Sequence, residues 1–272
     1  MSNIDYKAIK GKKVLLYSGG MDCYIINQLE RPDVLLYINN HSNYSDMEVQ
    51  HLMKLKELGV KWLDNLVIVN DFINMSDMER DDYIIPARNA YFILKAAEYG
   101  DEIIMGVTSG DRPTDKCLPF AKMMTDLLNH LYEPSRWLGE GRHLNVNFKY
   151  KKFSKQDLIT ALVTERKRQT PGLNDYMAKD LVVDELFEYS SSCYEPQGDL
   201  PCGICKSCLR KWLAILGATG IDTSCQFAKS PREYFTLERI DEWIQRESGP
   251  GNRGQESRET IAVLEKLKDG EF

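Results

Sequence analysis

Four cysteines in the second half of the chain are spaced in a way that is typical of a metal site. Cys193, Cys202, Cys205 and Cys208 form the pattern C-x8-C-x2-C-x2-C, and Gly203 allows a tight turn after the second of them. Four thiolates can surround a tetrahedral Zn²⁺ with sulfur–zinc distances of about 2.3 Å. Because all four ligands are cysteines, no position is left for water, and the pattern predicts a structural zinc. An iron–sulfur cluster is the alternative, because thiolates at such spacings can hold either.

The stretch Ser-Gly-Gly-Met-Asp at residues 18–22 has the composition of an anion-binding loop. It follows an apolar run and precedes a helical pattern. Gly19 and Gly20 permit a turn with positive φ and let backbone N–H groups approach a ligand. The helix that follows adds unpaired N–H groups and the positive end of its dipole. The stretch therefore predicts a phosphate site, with a tight turn that binds no ligand as the alternative.

The loop differs from the two best-known phosphate-binding motifs. It is neither a G-x-x-x-x-G-K-[ST] loop nor the dinucleotide fingerprint G-x-G-x-x-G. Cys23 comes directly after the loop and is interpreted as a small residue facing the helix, with a catalytic nucleophile as the alternative. Cys117 and Cys225 lie outside both motifs and are interpreted as core residues.

Short apolar runs indicate the elements that would position these residues. Four runs without polar alternation predict buried parallel strands at residues 13–18, 33–38, 65–69 and 102–107. Helical patterns separate them: one starts at Ser45, which forms a capping-box pattern with Glu48, and another begins near Pro86. This alternation predicts an α/β fold with a doubly wound parallel sheet, in which ligands bind beyond the carboxyl ends of the strands.

The second half of the chain is predicted to be mainly helical. Ser154 is the predicted N-cap of one helix, and a single amphipathic helix is predicted over residues 230–247. The glycine-rich stretch 248–257 predicts a flexible linker. The predicted division is a nucleotide-binding α/β domain (1–150), a helical part with the cysteine cluster (151–225) and a helical C-terminal extension (226–272).

Charge and composition argue against several classes of protein. The 272 residues carry a net charge of −6, so nothing overall indicates a direct nucleic-acid partner. No apolar run is long enough to span a membrane, and the N-terminus lacks the apolar core of a signal peptide. We therefore expect a cytoplasmic protein without a membrane partner. In a reducing compartment, clustered cysteines indicate a metal site rather than disulfides.

The loop and the cysteine cluster together resemble one family, the 7-cyano-7-deazaguanine synthases (QueC). These enzymes belong to the PP-loop superfamily of N-type ATP pyrophosphatases, whose loop has the sequence S-G-G-x-D-S. The resemblance runs from about residue 12 to residue 216 and follows the family's motifs in order. The matching segments are SGGMD (18–22), IPARN (85–89), GVTSGDRPTDKC (106–117), KKFSK (151–155) and SCYEPQGDLPCGICKSCLRK (192–211).

The resemblance implies a HUP/Rossmann-like fold and an ATP-dependent C–N ligase. The family uses ATP and Mg²⁺ to adenylate the carboxylate of 7-carboxy-7-deazaguanine, with release of pyrophosphate. Ammonia then displaces AMP to give an amide, and a second ATP converts the amide to the nitrile. The resemblance further implies that the zinc is structural and that the protein forms a homodimer.

The resemblance also implies roles for individual residues. The ATP-binding loop would consist of Ser18, Gly19, Gly20, Met21, Asp22 and Cys23. Asp22 would hold Mg²⁺, and Lys155 would reach the phosphates. Lys152 is a weaker candidate, because it lies in a basic run of the kind that is usually solvated. Together with Arg88, Asp22 and Lys155 are the predicted catalytic residues.

Four positions are predicted to bind the substrate: Arg88, Asn89, Asp111 and Asp115. Arg88 suits a phosphate or a carboxylate, since its guanidinium group can form two parallel hydrogen bonds with either. Asp111 and Asp115 would recognise the amino-pyrimidinone edge of the base, with simple turn residues as the alternative. His41 is the one histidine placed where a role is worth testing, because it follows a predicted strand.

The sequence departs from the family pattern at several places. Cys23 replaces the last serine of the loop, Ala87 replaces the glycine of P-G-R-N, and the stretch 38–46 replaces a Y-G-Q-x-H pattern. The residues from Cys225 onward also extend beyond the family's usual end. The changed stretch 38–46 and the C-terminal extension favour an alternative, in which the activated carboxylate passes to another amine, such as a protein N-terminus, in anti-phage defence.

Two further hypotheses differ more strongly from nitrile synthesis. A zinc-binding module without activity would not turn over ATP. A sulfur-inserting tRNA enzyme of the same superfamily would need a reactive cysteine outside the zinc ligands, for which Cys23 is the candidate.

Overall fold

A computed structural model of the chain describes residues 6–80, 84–136 and 139–272. In chain order, the strands are β1 (Lys13–Leu16), β2 (Val34–Ile38), β3 (Leu66–Val69), β4 (Glu102–Met105) and β5 (Asn145–Asn147). The helices are α1 (Tyr6–Ile9), α2 (Met21–Glu30), α3 (Ser45–Glu57), α4 (Arg88–Ala96), α5 (Leu118–Leu131), α6 (Lys155–Gln169), α7 (Asp175–Glu188), α8 (Lys206–Thr219), α9 (Pro231–Tyr234), α10 (Leu237–Ser248) and α11 (Gln255–Lys268). Short 3₁₀ turns lie at Lys61–Leu63, Ser76–Met78, Thr114–Lys116, Lys149–Lys152 and Ser224–Gln226.

The chain divides into two compact units. The sheet unit consists of the described parts of Met1–Ser18, Glu30–Val107 and Arg112–Lys151. The helical unit consists of Gly19–Leu29, Thr108–Asp111 and Lys152–Phe272. The division proposed above at residues 150 and 225 stays a prediction.

The sheet unit is built on five parallel strands in the order β3-β2-β1-β4-β5. Its strands are covered by apolar side chains, and Val14, Leu36 and Ile103 are all at most 1 % exposed. Strands buried on both faces show continuous apolar runs, which is why the sequence pattern found four of them. The predicted doubly wound parallel α/β fold is confirmed.

The strand order reverses its direction at β1. The chain moves outward from β1 to β2 and β3, and then returns to place β4 on the other side of β1. Leu16 pairs with Met105 in the register of β1 and β4, so the carboxyl ends of these two strands lie side by side. Such a switch point is where open α/β sheets bind ligands, and the loops 17–20 and 106–111 begin there.

The fifth strand was not predicted from the sequence. β5 has three residues, Asn145–Asn147, and only Val146 among them is buried. A run this short with asparagines on both sides shows no apolar pattern. Its formation depends on pairing with β4, in which Val146 lies opposite Ile103.

The capping-box prediction for α3 is wrong. Ser45 is the first helical residue, and the N-cap is Tyr44, whose side chain makes no capping hydrogen bond. The Ser45 hydroxyl instead donates to Asn40 Oδ1 at 2.8 Å and lies 2.8 Å from the Ser42 hydroxyl. The Ser45 side chain, which the sequence pattern assigned to the cap, therefore contacts the loop after β2. By contrast, Ser154 caps α6 as predicted, in a capping box completed by Asp157.

The helical unit contains α6 to α11 and most of α2, with an aromatic core. Trp212 is fully buried and stacks on Phe235, whose ring lies edge-on to Trp243 at 5.3 Å between centroids. The single helix predicted over 230–247 is two helices, α9 and α10. Thr236 caps α10 by accepting a hydrogen bond from the Arg239 backbone at 3.4 Å, and Phe235 turns inward at the break.

The prediction of a flexible linker over 248–257 is also wrong. Arg253 is 7 % exposed and Ser257 is fully buried. The Gly251 N–H donates to the Arg246 carbonyl at 2.8 Å, and the Arg253 N–H donates to Ser257 Oγ at 2.7 Å. Composition indicated flexibility, but buried charged partners on α10 and α11 fix the segment.

Candidate functional site

The glycine loop has the conformation that its composition predicted. After β1 and Ser18, Gly19 adopts φ 75°, a left-handed value that favours glycine. α2 begins directly afterwards at Met21, and the Tyr24 N–H donates to the Gly20 carbonyl at 2.9 Å. The backbone therefore turns from the strand into a helix N-terminus, whose first N–H groups face away from the helix. Cys23 lies on the first turn of α2 and is partly buried.

Two serines that the sequence analysis did not single out brace this loop. The Ser191 N–H donates to the Gly19 carbonyl at 2.9 Å, and Ser192 Oγ lies 3.5 Å from the Met21 backbone nitrogen. Both precede the first cysteine of the cluster, within the sequence SSSC. The run of three serines was the available signal, since small hydroxyl side chains commonly pair with backbone groups.

Lys155 contacts the same turn. As the first residue of α6, it follows the Ser154 cap, and its Nζ donates a hydrogen bond to Asp22 Oδ2. The two side chains are half-buried, at 21 % and 19 % exposed. The first turns of α2 and α6 therefore converge, and with them the positive ends of two helix dipoles. By contrast, Lys152 is exposed.

The surroundings of Lys155 keep its ammonium group charged. Burial lowers the pKa of Lys155, but the carboxylates of Asp22 and Glu256, the hydrogen bond to Asp22 and the more distant Asp111 raise it above the ordinary value. A permanently cationic side chain beside two helix N-termini is suited to bind a polyanion. This arrangement lies wholly within the helical unit.

Asp111 has a local role in its loop. Its Oδ2 accepts hydrogen bonds from the Thr108 N–H at 2.8 Å and from Thr108 Oγ1 at 3.3 Å. These contacts close the turn 108–111, which is the role that the alternative interpretation gave it. The same turn carries Gly110, and a Cβ atom there would lie 2.2 Å from Glu256 Oε2. The carboxylate of Glu256 therefore packs directly on this loop.

Three of the four predicted substrate residues belong to the sheet unit. Arg88 is the first residue of α4, and its Nη1 donates a hydrogen bond to the Tyr44 hydroxyl. Asn89 is 2 % exposed, and its Nδ2 lies 3.5 Å from the Asp115 carbonyl oxygen. The structure thus brings Asn89 next to the Thr114–Lys116 turn that carries Asp115, whereas Asp111 belongs to the helical unit.

The residue before Arg88 explains a sequence departure. Ala87 is the N-cap of α4 and has φ 59°, so it adopts the left-handed conformation without a capping hydrogen bond. Glycine adopts this conformation without the steric cost of a Cβ atom. The glycine of the P-G-R-N pattern therefore has a conformational reason, and alanine carries strain here.

Glu48 is a further group that sequence reasoning missed. Its Oε2 accepts a hydrogen bond from the Tyr37 hydroxyl at 3.1 Å. Burial raises the pKa of Glu48 to about 7, although the Tyr37 hydrogen bond and the charge of Arg88 each lower it. The carboxyl group thus titrates near neutral pH. The sequence pattern marked Glu48 only as a capping-box residue, because the burial and the partners that raise its pKa come from β2 and α4.

The loop after β2 is polar and yet buried. Asn39, Asn40 and Ser42 are at most 8 % exposed. Ser42 Oγ donates to Asn40 Oδ1 at 3.1 Å, while Asn40 Nδ2 has no hydrogen-bond partner among the described residues. His41 lies between them with φ 58°, and its Nε2 is 3.1 Å from the Asn70 carbonyl oxygen. This loop replaces the Y-G-Q-x-H pattern with a compact amide and hydroxyl cluster.

The four predicted metal ligands come together in the helical unit. The Sγ atoms of Cys193, Cys202, Cys205 and Cys208 all lie within 4.8 Å of one another. The Cys202 and Cys208 sulfurs are 3.9 Å apart, close to the spacing of about 3.8 Å in a tetrahedron of sulfurs around zinc. This separation is far longer than a disulfide bond. The cluster can therefore hold a metal such as zinc.

Backbone groups and neighbouring thiols form hydrogen bonds with these sulfurs. Backbone N–H groups of residues 202 and 205 donate to Cys193 Sγ at 3.2 Å and to Cys202 Sγ at 3.3 Å. Hydrogen bonds among the thiols lower the pKa of Cys205 and raise the pKa of Cys193 and Cys208, so that negative charge is favoured on Cys205. Gly203 has φ 84°, and a Cβ there would lie 1.8 Å from the Lys229 carbonyl oxygen, so only glycine fits.

A buried lysine supports the cluster. Lys211 is 5 % exposed, and its Nζ donates to the Leu186 carbonyl at 2.7 Å and to the Ser190 carbonyl and hydroxyl at 3.2 Å. Burial lowers its pKa to about 8, while the neighbouring Cys208 and Cys193 raise it. The Lys211 ammonium group thus donates to carbonyl groups at the C-terminal end of α7. The next residues in the chain include Ser191 and Ser192, which brace the glycine loop.

Comparison with known proteins identifies the family. The model of the family described as queuosine biosynthesis protein QueC matches residues 33–216. The matched range contains the Arg88 segment, Lys155 and the four cysteines, and it begins after the glycine loop. A search of curated proteins finds no match. Among the described residues, no helix is long and apolar enough to cross a membrane. Because the match covers more than half of the chain, this protein belongs to the QueC family of the PP-loop superfamily.

Proposed function

We propose that this protein is an ATP-dependent ligase that adenylates 7-carboxy-7-deazaguanine and, with ammonia, converts it to 7-cyano-7-deazaguanine. Membership of the QueC family makes it an enzyme of the PP-loop ATP pyrophosphatase type in queuosine-related chemistry. The substrate, the amine acceptor and the product are what we propose beyond family membership.

The observation that best supports ATP binding is the contact between Lys155 and Asp22. It brings the first turns of α2 and α6 together beside the left-handed Gly19. Backbone N–H groups, two helix dipoles and one ammonium group then face the same place. These are the donors that stabilise a departing pyrophosphate. Asp22 Oδ1 has no hydrogen-bond partner among the described residues, and we assign to it the Mg²⁺ that accompanies ATP.

The proposed chemistry balances without an oxidant or reductant. A carboxylate oxygen of the substrate attacks the α-phosphorus of ATP, the α–β phosphoanhydride bond breaks, and pyrophosphate leaves. Ammonia attacks the acyl carbon, AMP leaves with the bonding electron pair, and loss of a proton from nitrogen gives the amide. A second ATP adenylates the amide oxygen with release of pyrophosphate, and loss of AMP and of both amide N–H protons gives the nitrile. Lys155 offsets the negative charge that develops on the leaving pyrophosphate.

The sheet unit supplies the residues that we propose for the substrate. Arg88 can pair with a carboxylate or phosphate through its guanidinium group, which Tyr44 and the Phe92 ring at 5.9 Å orient. Asn89 and Asp115 lie together at the same helix start. Asp111 also stays a candidate for the base edge, although its Oδ2 closes its own turn.

The four cysteines fit a structural Zn²⁺. Their spacing leaves no open position, so a bound zinc would supply stability rather than a reactive water. It would fix the segment around Ser191 and Ser192 that braces the glycine loop. Cytoplasmic location and a homodimer stay predictions.

A second function is favoured by the loop after β2. The buried cluster of Asn39, Asn40 and Ser42 stands where the Y-G-Q-x-H pattern is expected. We propose that a change of the loop at this position goes with transfer of the activated carboxylate to another amine, such as a protein N-terminus. Anti-phage defence is the setting that we propose for such an acceptor.

Product analysis separates the two functions. Purified protein is incubated with Mg-ATP, 7-carboxy-7-deazaguanine and ammonium, and the products are followed by mass spectrometry with AMP measured in parallel. AMP together with the cyano product supports the nitrile synthase. AMP without the nitrile contradicts it and favours a different acceptor. An absence of AMP contradicts both functions.

A further inference from the structure

The chain beyond the family match forms part of the helical unit. Residues 217–272 follow the matched range 33–216. Their segment 253–260 lies against α6, because Gln255 Nε2 donates to Asp157 Oδ2 at 2.8 Å. Asp157 belongs to the capping box that places Lys155 at the start of α6. The C-terminal extension is therefore attached to the turn that carries Lys155.

Glu256 is the acidic residue that the extension places there. It is 5 % exposed, and its Oε2 packs on Gly110 and has no hydrogen-bond partner among the described residues. Its Oε1 accepts a hydrogen bond from Arg253 Nη1. Glu256 and Lys155 line one polar pocket together with Arg210, and the Glu256 carboxylate acts electrostatically on the Lys155 ammonium.

A chain of buried contacts holds Glu256 in this position. Arg253 Nε lies 3.4 Å from Glu247 Oε2, and Glu247 itself is fully buried on α10. Ser257 Oγ donates to the same Glu247 oxygen and accepts from the Arg253 N–H. Glu256 is thus held through Arg253, which Glu247 and Ser257 hold in turn. Burial of the Glu256 carboxylate costs desolvation free energy, and such burial is weak support for a purely stabilising role.

From this arrangement we propose that Glu256 is a positioning residue for Lys155, with Arg253 fixing Glu256 from the opposite side. Asp22 and Glu256 would hold the Lys155 ammonium group between them, so that it points to the glycine loop. The inference rests on the proposed function, because it assigns the role of Glu256 through the phosphate-binding Lys155. It also gives the C-terminal extension a part in ATP turnover.

Replacement of Glu256 by glutamine tests this role, because glutamine keeps the size and an acceptor for Arg253 but removes the charge. A misplaced Lys155 should lower kcat for AMP release by about tenfold to a hundredfold. Because Lys155 also binds the phosphates before the reaction, ATP binding measured by calorimetry should weaken as well, whereas removal of a negative charge with Lys155 still in place would tighten it. Calorimetry also gives the fraction of protein that binds ATP, and a loss confined to folding would lower that fraction without weakening the affinity of the folded protein.

The matched control is Glu265→Gln, which removes an exposed glutamate from the same helix. The proposal is overturned if Glu256→Gln keeps kcat within about twofold of this control, or if its affinity for ATP is unchanged or tighter. Glu256→Asp, which keeps the charge, should retain more of kcat than Glu256→Gln, and equal losses would indicate packing alone. If Glu256→Gln does not fold, Glu256→Asp decides: a partial loss of kcat supports the proposal, and the wild-type kcat overturns it.

Failure of the proposed function gives a different result. Wild-type protein that binds ATP but releases no AMP with 7-carboxy-7-deazaguanine contradicts the substrate assignment. In that case the affinity for ATP alone tests Glu256. Weaker binding in Glu256→Gln supports the positioning role, and unchanged or tighter binding overturns it.

Discussion

Lys155 Nζ donates a hydrogen bond to Asp22 Oδ2, although 133 residues of sequence separate the two. The contact joins the first turn of α2, which follows the glycine loop, to the first turn of α6. Each helix brings the positive end of its dipole to the same place. The pair therefore connects the two sequence motifs on which ATP binding is proposed.

Replacement of Asp22 by alanine should abolish turnover and leave the fold largely intact. The carboxylate is half-buried, and its partner Lys155 can still reach solvent, so the ion pair contributes about 1 kcal/mol or less to stability. Loss of a group that organises the phosphate site should lower AMP release by about a hundredfold or more. AMP release and the melting temperature are measured together.

The matched control for this variant is Asp184→Asn, which changes an exposed aspartate of α7. It should keep the wild-type rate. Near-normal AMP release by Asp22→Ala would show that the assignment of the loop is wrong.

Replacement of Cys205 by alanine should remove the metal and lower stability. The cluster has no other sulfur among the described residues to replace the lost ligand, and metal binding is coupled to folding in such sites. Zinc content by elemental analysis and the melting temperature should both fall. The control is Cys225→Ser, at a cysteine outside the cluster that is exposed, so its interpretation as a core residue is wrong. A Cys205→Ala protein that is zinc-free and as stable as the wild type would contradict a structural site.

Replacement of Ala87 by glycine should stabilise the protein. Ala87 has φ 59°, and a non-glycine residue in this region costs about 1–2 kcal/mol. Glycine relieves this cost, but its greater conformational freedom in the unfolded chain lowers stability by about 0.5–1 kcal/mol. Chemical denaturation should therefore show a net gain of up to about 1.5 kcal/mol.

The control for this change is Ala90→Gly, in the same helix, which should destabilise by about 1 kcal/mol. If both glycine variants are destabilised alike, the left-handed conformation of Ala87 does not carry the strain assigned to it.

Glu48 should make stability depend on pH. Burial raises the pKa of Glu48 from 4.5 to about 7, so the folded protein binds this proton more tightly than the unfolded chain. Ionisation of the buried Glu48 carboxylate lowers the free energy of unfolding. This loss is absent below pH 4.5 and complete above pH 7. At about 1.4 kcal/mol per pKa unit, the rise from 4.5 to about 7 costs at most about 3.5 kcal/mol of stability.

The variant Glu48→Gln should therefore gain stability over the wild type as the pH rises from 5 to 8. Denaturation curves at both pH values measure the difference, with Glu57→Gln, an exposed residue of α3, as the control. A difference between wild type and Glu48→Gln that is the same at both pH values would contradict the raised pKa.

Local patterns predicted the parts of the structure that depend on local sequence. Continuous apolar runs found four strands because the sheet is covered on both faces. The cysteine spacing found all four clustered sulfurs, and Gly19 and Gly203 have the positive φ values that their motifs require. The Ser154 cap also follows from neighbours in sequence.

The remaining features depend on contacts between distant residues. β5 exists through its pairing with β4, and Phe235 breaks a helical pattern because Trp212 and Trp243 bury its ring. Arg253 lies in a stretch whose glycines indicated a linker, yet Glu247 and Glu256 hold it. A sequence pattern within one segment cannot show these contacts, because the partner residues lie in other segments of the chain.

The most direct test of the account is the carboxylate-dependent exchange of labelled pyrophosphate into ATP. Reversible adenylation returns label to ATP only when the enzyme binds ATP and activates a carboxylate. The account predicts exchange that requires both Mg²⁺ and 7-carboxy-7-deazaguanine and that is lost in Asp22→Ala. Absence of exchange, in protein that is folded and contains its zinc, together with no release of AMP, would contradict the adenylation on which the proposed function depends.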